Sequence, residues 1–94
     1  MNEPKLGQWY RVSHSLERLK QSDDRDWVCR SNNEKSMLIG VRTLSDGFVS
    51  DRGVYFPQRY FKAYMLVSDI REKPFFALPK HCEFMSNWES GGIE

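Results

Sequence analysis

Cysteine and histidine are scarce in this chain, two of each in 94 residues, and the scarcity removes several kinds of chemistry at once. A structural zinc site draws on four soft ligands in closely spaced pairs, so it would need Cys29, Cys82, His14 and His81 together. His81 and Cys82 are adjacent and, on a strand, point to opposite faces. The expectation is therefore no metal, with Cys82 in the core and His81 on the surface. Both cysteines fall in segments that read as strands, which suits small buried hydrophobes in a reducing compartment better than a disulfide.

Other absences narrow the function further. There is no G-x-S-x-G, no phosphate-binding glycine loop and no dinucleotide fingerprint; Gly40, Gly47 and Gly53 read as turn or bulge glycines. Asp23, Asp24 and Asp26 could face a cation, but the segment lacks the central glycine and later glutamate of a calcium loop. The expectation is a non-enzyme without a cofactor. Apolar runs such as Met65-Leu66-Val67 are far too short to cross a bilayer. Residues 1–5 have neither the basic start nor the apolar stretch of a secretory signal, so a cytoplasmic location with no membrane partner is expected. A net charge of +1 argues against a protein held to nucleic acid mainly by neutralising phosphates, although residues 41–68 are mildly basic.

What is present is ordinary for a small globular domain: 39% hydrophobic and 29% charged residues at a length that supports one modest core. The sequence reads as a single domain over 1–94 with a frayed tail at 86–94. Trp9, Trp27 and Trp88 serve first as large core contributors. Leu6 to Val12 mixes aromatic and β-branched residues with polar ones and predicts a first strand. Leu16 and Leu19, three apart among good helix formers, predict a short helix over 15–21 with Ser13 or Ser15 as its cap.

Trp27 to Arg30 and Met37 to Val41 predict a hairpin across turn formers at 31–35. Asp46-Gly47 then predicts a two-residue type I′ hairpin between 37–45 and 48–56, placing Ile39 opposite Val54 and Arg42 opposite Asp51. The similar unit Ser50-Asp51-Arg52-Gly53 is the competing turn. Pro57 to Phe61 predicts a short helical turn. Residues 63–67, apolar on both sides, predict a central strand. Residues 69–74 read as a loop, followed by two short strands, 75–78 and 81–84, split by Pro79.

Many short strands with turn residues between them predict a mainly β fold, with α+β as its borderline, in the form of a small antiparallel barrel or strongly bent sheet. The run Phe76-Ala77-Leu78-Pro79-Lys80-His81-Cys82-Glu83-Phe84 resembles the end of SH3-type barrels, where a proline-containing turn leads into the closing strand. Trp27 with Arg30 is similar to that family's tryptophan strand. The resemblance implies a barrel. It does not imply peptide binding of the SH3 kind, because the N-terminal aromatic-acidic motif is absent.

The stretch most able to bind is 52–64, which holds three basic residues, five aromatics and no acid. Aromatic faces stack on bases or on partner side chains while Arg and Lys supply charge. Phe56 and Phe61 are expected in the core, and Arg52, Tyr55, Arg59, Tyr60, Lys62 and Tyr64 are the candidate binding residues. As one patch, they require Tyr55, Arg59 and Tyr60 to share a face. The function expected is that of a small accessory or inhibitor protein, of the kind phages and mobile elements encode, docking on a larger host protein. The alternative is an RNA or single-stranded DNA binder using the same residues.

Overall fold

The computed structural model describes residues 3–18 and 26–85. Among the described residues, seven strands form one sheet: β1 (Trp9–Arg18), β2 (Trp27–Leu44), β3 (Phe48–Val49), β4 (Tyr55–Phe56), β5 (Phe61–Val67), β6 (Phe75–Ala77) and β7 (Cys82–Phe84), with a 3-10 turn at Pro79–His81. Their order is β4-β3-β2-β5-β6-β1-β7, and a further pairing of β2 with β1 bends the sheet into a partial ring. The fold is a small, barrel-like β domain, as the sequence predicts. The ring closes through the single pair Leu16 and Phe76, while β7 extends β1 at Tyr10, Arg11 and Val12.

β5 is central, hydrogen-bonded to β2 on one side and β6 on the other, which accounts for the lack of a polar face over residues 63–67. Leu66 joins one apolar cluster with Tyr10, Val12, Leu38, Phe75 and Ala77. Ala63, an odd number of residues away and so on the opposite face, joins a second with Leu16, Trp27, Cys29, Phe48 and Leu78. Trp27 is a core residue as expected, whereas Trp9 is only half-buried, and Phe56 and Phe61 are half-buried against the second cluster.

Several local expectations are overturned. β1 continues as strand through Arg18, so no helix forms over 15–18; residues 19–21 lie outside the described residues, as do Asp23, Asp24, Trp88 and the tail from Ser86. One pair of leucines at helical spacing is outweighed by cross-strand pairing of residues 14–18 with β2. The hairpin expected across 31–35 is instead one uninterrupted strand of 18 residues. Its turn-forming asparagines are absorbed by a register shift, where β1 advances from Val12 to His14 while β2 runs from Glu34 back to Ser31.

The Asp46-Gly47 hairpin does not form either. β2 pairs there with β5, Arg42 opposite Ala63 and Val41 opposite Tyr64, and β3 turns away to lie parallel to the start of β2. A type I′ turn needs positive φ at its glycine, but among the described glycines only Gly7 and Gly53 have it. Gly47 is needed for space: a Cβ there would meet an Asp26 carboxylate oxygen at 2.7 Å and the Phe56 carbonyl oxygen at 2.9 Å. Asp46 accepts a hydrogen bond from Trp27 Nε1 at 3.0 Å and pairs with Arg18 at 3.2 Å, tying this corner to the core.

The competing turn is the one used. β3 and β4 form a hairpin over Ser50–Gly53, with Phe48 opposite Phe56, Gly53 at φ 82° and Ser50 Oγ accepting from the backbone N–H groups of Arg52 and Val54. Residues 57–60 form no helical turn; Gln58 instead donates its side-chain N–H to the Ser45 carbonyl. The split at Pro79 is as expected, with the proline opening the 3-10 turn before β7.

Candidate functional site

Two open cavities share a wall made by the 3-10 turn. The larger, about 640 Å³, has a floor of Phe48, Phe56 and Phe61. These rings come together because β3 and β4 put Phe48 and Phe56 on the same face, stacked 4.9 Å apart, and β5 begins with Phe61 beside them, 5.0 Å from Phe48. Arg52, Arg59 and Lys80 stand around the cavity with Asp51 and His81. Arg59 lies over the Phe56 ring at 5.7 Å, a cation–π distance. Among the described residues, three cations against one carboxylate line the rim and make it attractive to an anion.

The six candidate binding residues do not form one face. Arg52 and Arg59 meet at the cavity. Tyr55 pairs with Val49 on the opposite side of the β3–β4 ribbon from Phe56, with its hydroxyl close to Gly47. Tyr60 is 79% exposed in the link to β5. Lys62 is exposed on the face of β5 away from Phe61. Tyr64 is half-buried against the first cluster, edge-on to Tyr10 at 5.9 Å, and that burial raises its hydroxyl pKa. Lys80, which completes the cationic rim, lies 16 residues beyond Tyr64 and has no signal in the sequence beyond being a lysine beside a proline.

The second cavity, about 380 Å³, lies across the wall and is lined by Arg11, Ser13, His14 and Asn32, among others, together with Lys80 and His81. His81 is not on the surface as expected: its side chain is only 9% exposed, covered by the His14 ring 4.4 Å away. Burial above all, helped by the charges of His14 and Lys80 and opposed by Asp51, lowers its pKa. Cys82 turns the other way, packing on the first cluster, so the expected divergence of the two neighbours holds.

Both cysteines are free thiols, and neither lines either cavity. Burial, with a contribution from Asp51, raises the Cys29 pKa, and burial pushes Cys82 up to about 12. The thiolate is the reactive form, so at mildly alkaline pH Cys82 has roughly a thousandfold less of it than an unperturbed thiol. Alkylation of the folded protein with iodoacetamide, followed by mass spectrometry, is expected to label Cys82 at least a hundredfold more slowly than in the denatured chain. Equal rates would show that the site opens freely.

Among the described residues, no helix is long and apolar enough to cross a membrane. Compared with protein-family models, curated proteins and solved structures, the chain matches none.

Proposed function

We propose that this domain is a non-enzymatic binding protein of the accessory or inhibitor type, docking on a larger protein through the larger cavity and its rim. The observation that carries this reading is the placement of Arg52, Arg59 and Lys80 around a floor of three phenylalanines. Such a recess accepts an apolar or aromatic side chain with a carboxylate beside it. Arginine next to aromatic rings is also the composition that dominates the energy of protein interfaces. Val54, 51% exposed, lines the same cavity and adds apolar contact area around that anchor.

Selection of displayed random peptides on the immobilised domain tests the reading. Enrichment of sequences with Asp or Glu within two residues of an aromatic or aliphatic side chain is expected. Arg59→Glu should weaken the selected peptides at least about tenfold, since reversing a charge at a complementary contact turns attraction into repulsion. No enrichment, or enrichment indifferent to Arg59→Glu, would remove the proposal. Binding of short single-stranded oligonucleotides that fades steeply between low and moderate salt would transfer the same residues to nucleic-acid recognition.

A further inference from the structure

The two histidines of the chain and Asp51 converge at the wall between the cavities. Nε2 of His14 stands 4.0 Å and Nε2 of His81 3.8 Å from Asp51 Oδ2, and the three ligand-capable atoms lie within 4.8 Å of one another. Neither approach is a hydrogen bond, which for N–H···O ends near 3.2 Å. Two imidazoles and a carboxylate at this range would satisfy one another by closing up. Here they stand around a gap instead.

Ser13 explains part of that spacing. Its Oγ lies 3.4 Å from the His81 carbonyl oxygen and 3.1 Å from His14 Nδ1. A hydroxyl has one proton, and donating it to the carbonyl leaves a lone pair to accept His14 Nδ1–H. His14 Nε2 then presents its own lone pair towards Asp51, the tautomer that metal ligation requires, with Ser13 as the orienting partner metal-bound histidines usually have. A lone pair facing a carboxylate oxygen is repulsive, and a cation between them turns that repulsion into two bonds. Among the described residues, His81 Nδ1 is buried with no hydrogen-bond partner, so none of them draws the ring away from the gap by a polar contact on that side.

We propose that His14, Asp51 and His81 form a three-ligand site for a first-row divalent cation of the Zn²⁺ type, with its remaining position open to the cavities. Two imidazoles and one carboxylate are a donor set such ions accept, and bonds of about 2.0–2.2 Å put tetrahedral ligand atoms roughly 3.3–3.6 Å apart. Closing the two Asp51 edges from 3.8 and 4.0 Å to that span takes a few tenths of an ångström, and the edge between the histidines, within 4.8 Å, closes by up to roughly 1 Å through side-chain rotation. The three ligands come from β1 at its register shift, from the β3–β4 turn and from the last residue of the 3-10 turn, so a bound ion would cross-link three parts of the chain. Lys80, beside the site, opposes the ion's charge and weakens its binding.

The test is calorimetric titration of the chelator-treated full chain with ZnCl₂. One equivalent is expected to bind, with a rise in melting temperature on the order of 10 °C at saturating metal. Asp51→Asn and His14→Ala should each weaken binding at least about a hundredfold, and Lys80→Gln should strengthen it several-fold. Asp51 sits in an exposed turn, so Asp51→Asn keeps the fold, which circular dichroism verifies. Co²⁺ in place of Zn²⁺ should give visible bands of a nitrogen and oxygen ligand set without a thiolate charge-transfer band, and Asp51→Asn should abolish them. No uptake at about 100 μM zinc, uptake indifferent to both ligand variants, or a thiolate band would each overturn the proposal.

Discussion

Replacing Arg71 with alanine is expected to destabilise the domain by about 3 kcal/mol, because it strands a buried carboxylate. Glu34 projects from β2 with its side chain only 9% exposed. Arg71 Nε donates to both of its oxygens at 3.0 and 2.9 Å, and a terminal guanidinium nitrogen lies 2.9 Å from one of them. Ser68 adds a hydroxyl donor at 3.3 Å. The guanidinium also covers the Phe75 ring at 4.1 Å and reaches Ser15 Oγ, which in turn accepts from Asn32 Nδ2. One side chain from the loop after β5 thus ties that loop to β1 and β2.

The pair itself need not add net stability over an apolar replacement; the loss comes from removing one partner. Arg71→Ala should therefore shift the urea midpoint strongly with an unchanged slope, and Glu34→Gln in the same chain should restore a large part of the loss. Arg71→Lys keeps the charge but not the forked geometry and is expected to fall between the two. A cost for Arg71→Ala below about 1 kcal/mol would mean that water reaches Glu34 and that the loop is not anchored by this contact.

Leu66→Ala is expected to cost about 3 kcal/mol by a different route. Leu66 is fully buried on the central strand, opposite Leu38 on β2 and Phe75 on β6. Truncation removes apolar burial and leaves a cavity whose walls, hydrogen-bonded strands on both sides, cannot collapse inward. Leu66→Met, which conserves volume, should cost less than about 1.5 kcal/mol. A small domain has only about 5–15 kcal/mol in total, so either alanine variant should show a melting temperature lowered by roughly 10 °C or more. A Leu66→Ala loss under about 1 kcal/mol would show that the first cluster can repack.

Much of the architecture was legible in the residues. The segments that alternating or two-sided apolar patterns mark as strands, 6–12, 27–30, 37–41, 63–67, 75–78 and 81–84, each overlap a strand of the structure, and Pro79 marks the break before β7. The connections were not. Asp46-Gly47 is a strong local hairpin signal, but the aspartate serves Trp27 and Arg18 from a distance and the glycine makes room for neighbouring chain. Leu16 reads as helical beside Leu19, yet its place in the structure is set by partners on β2 and β6. Local spacing cannot anticipate partners that are far away in the chain.

The same limit governs the sites. The stretch 52–64 holds Arg52, Phe56, Arg59 and Phe61 of the larger cavity, but the stretch by itself does not separate them from Tyr55, Lys62 and Tyr64, which strand alternation sends elsewhere. His14, Asp51 and His81 are 37 and 30 residues apart, a spacing no local motif describes. Composition and short-range pattern alone determined a small β domain without a familiar catalytic motif, because strand propensity and turn chemistry are local. Which polar residues meet was decided only by tertiary structure, because ring closure and the register shift at His14 bring distant segments together through long-range backbone pairing.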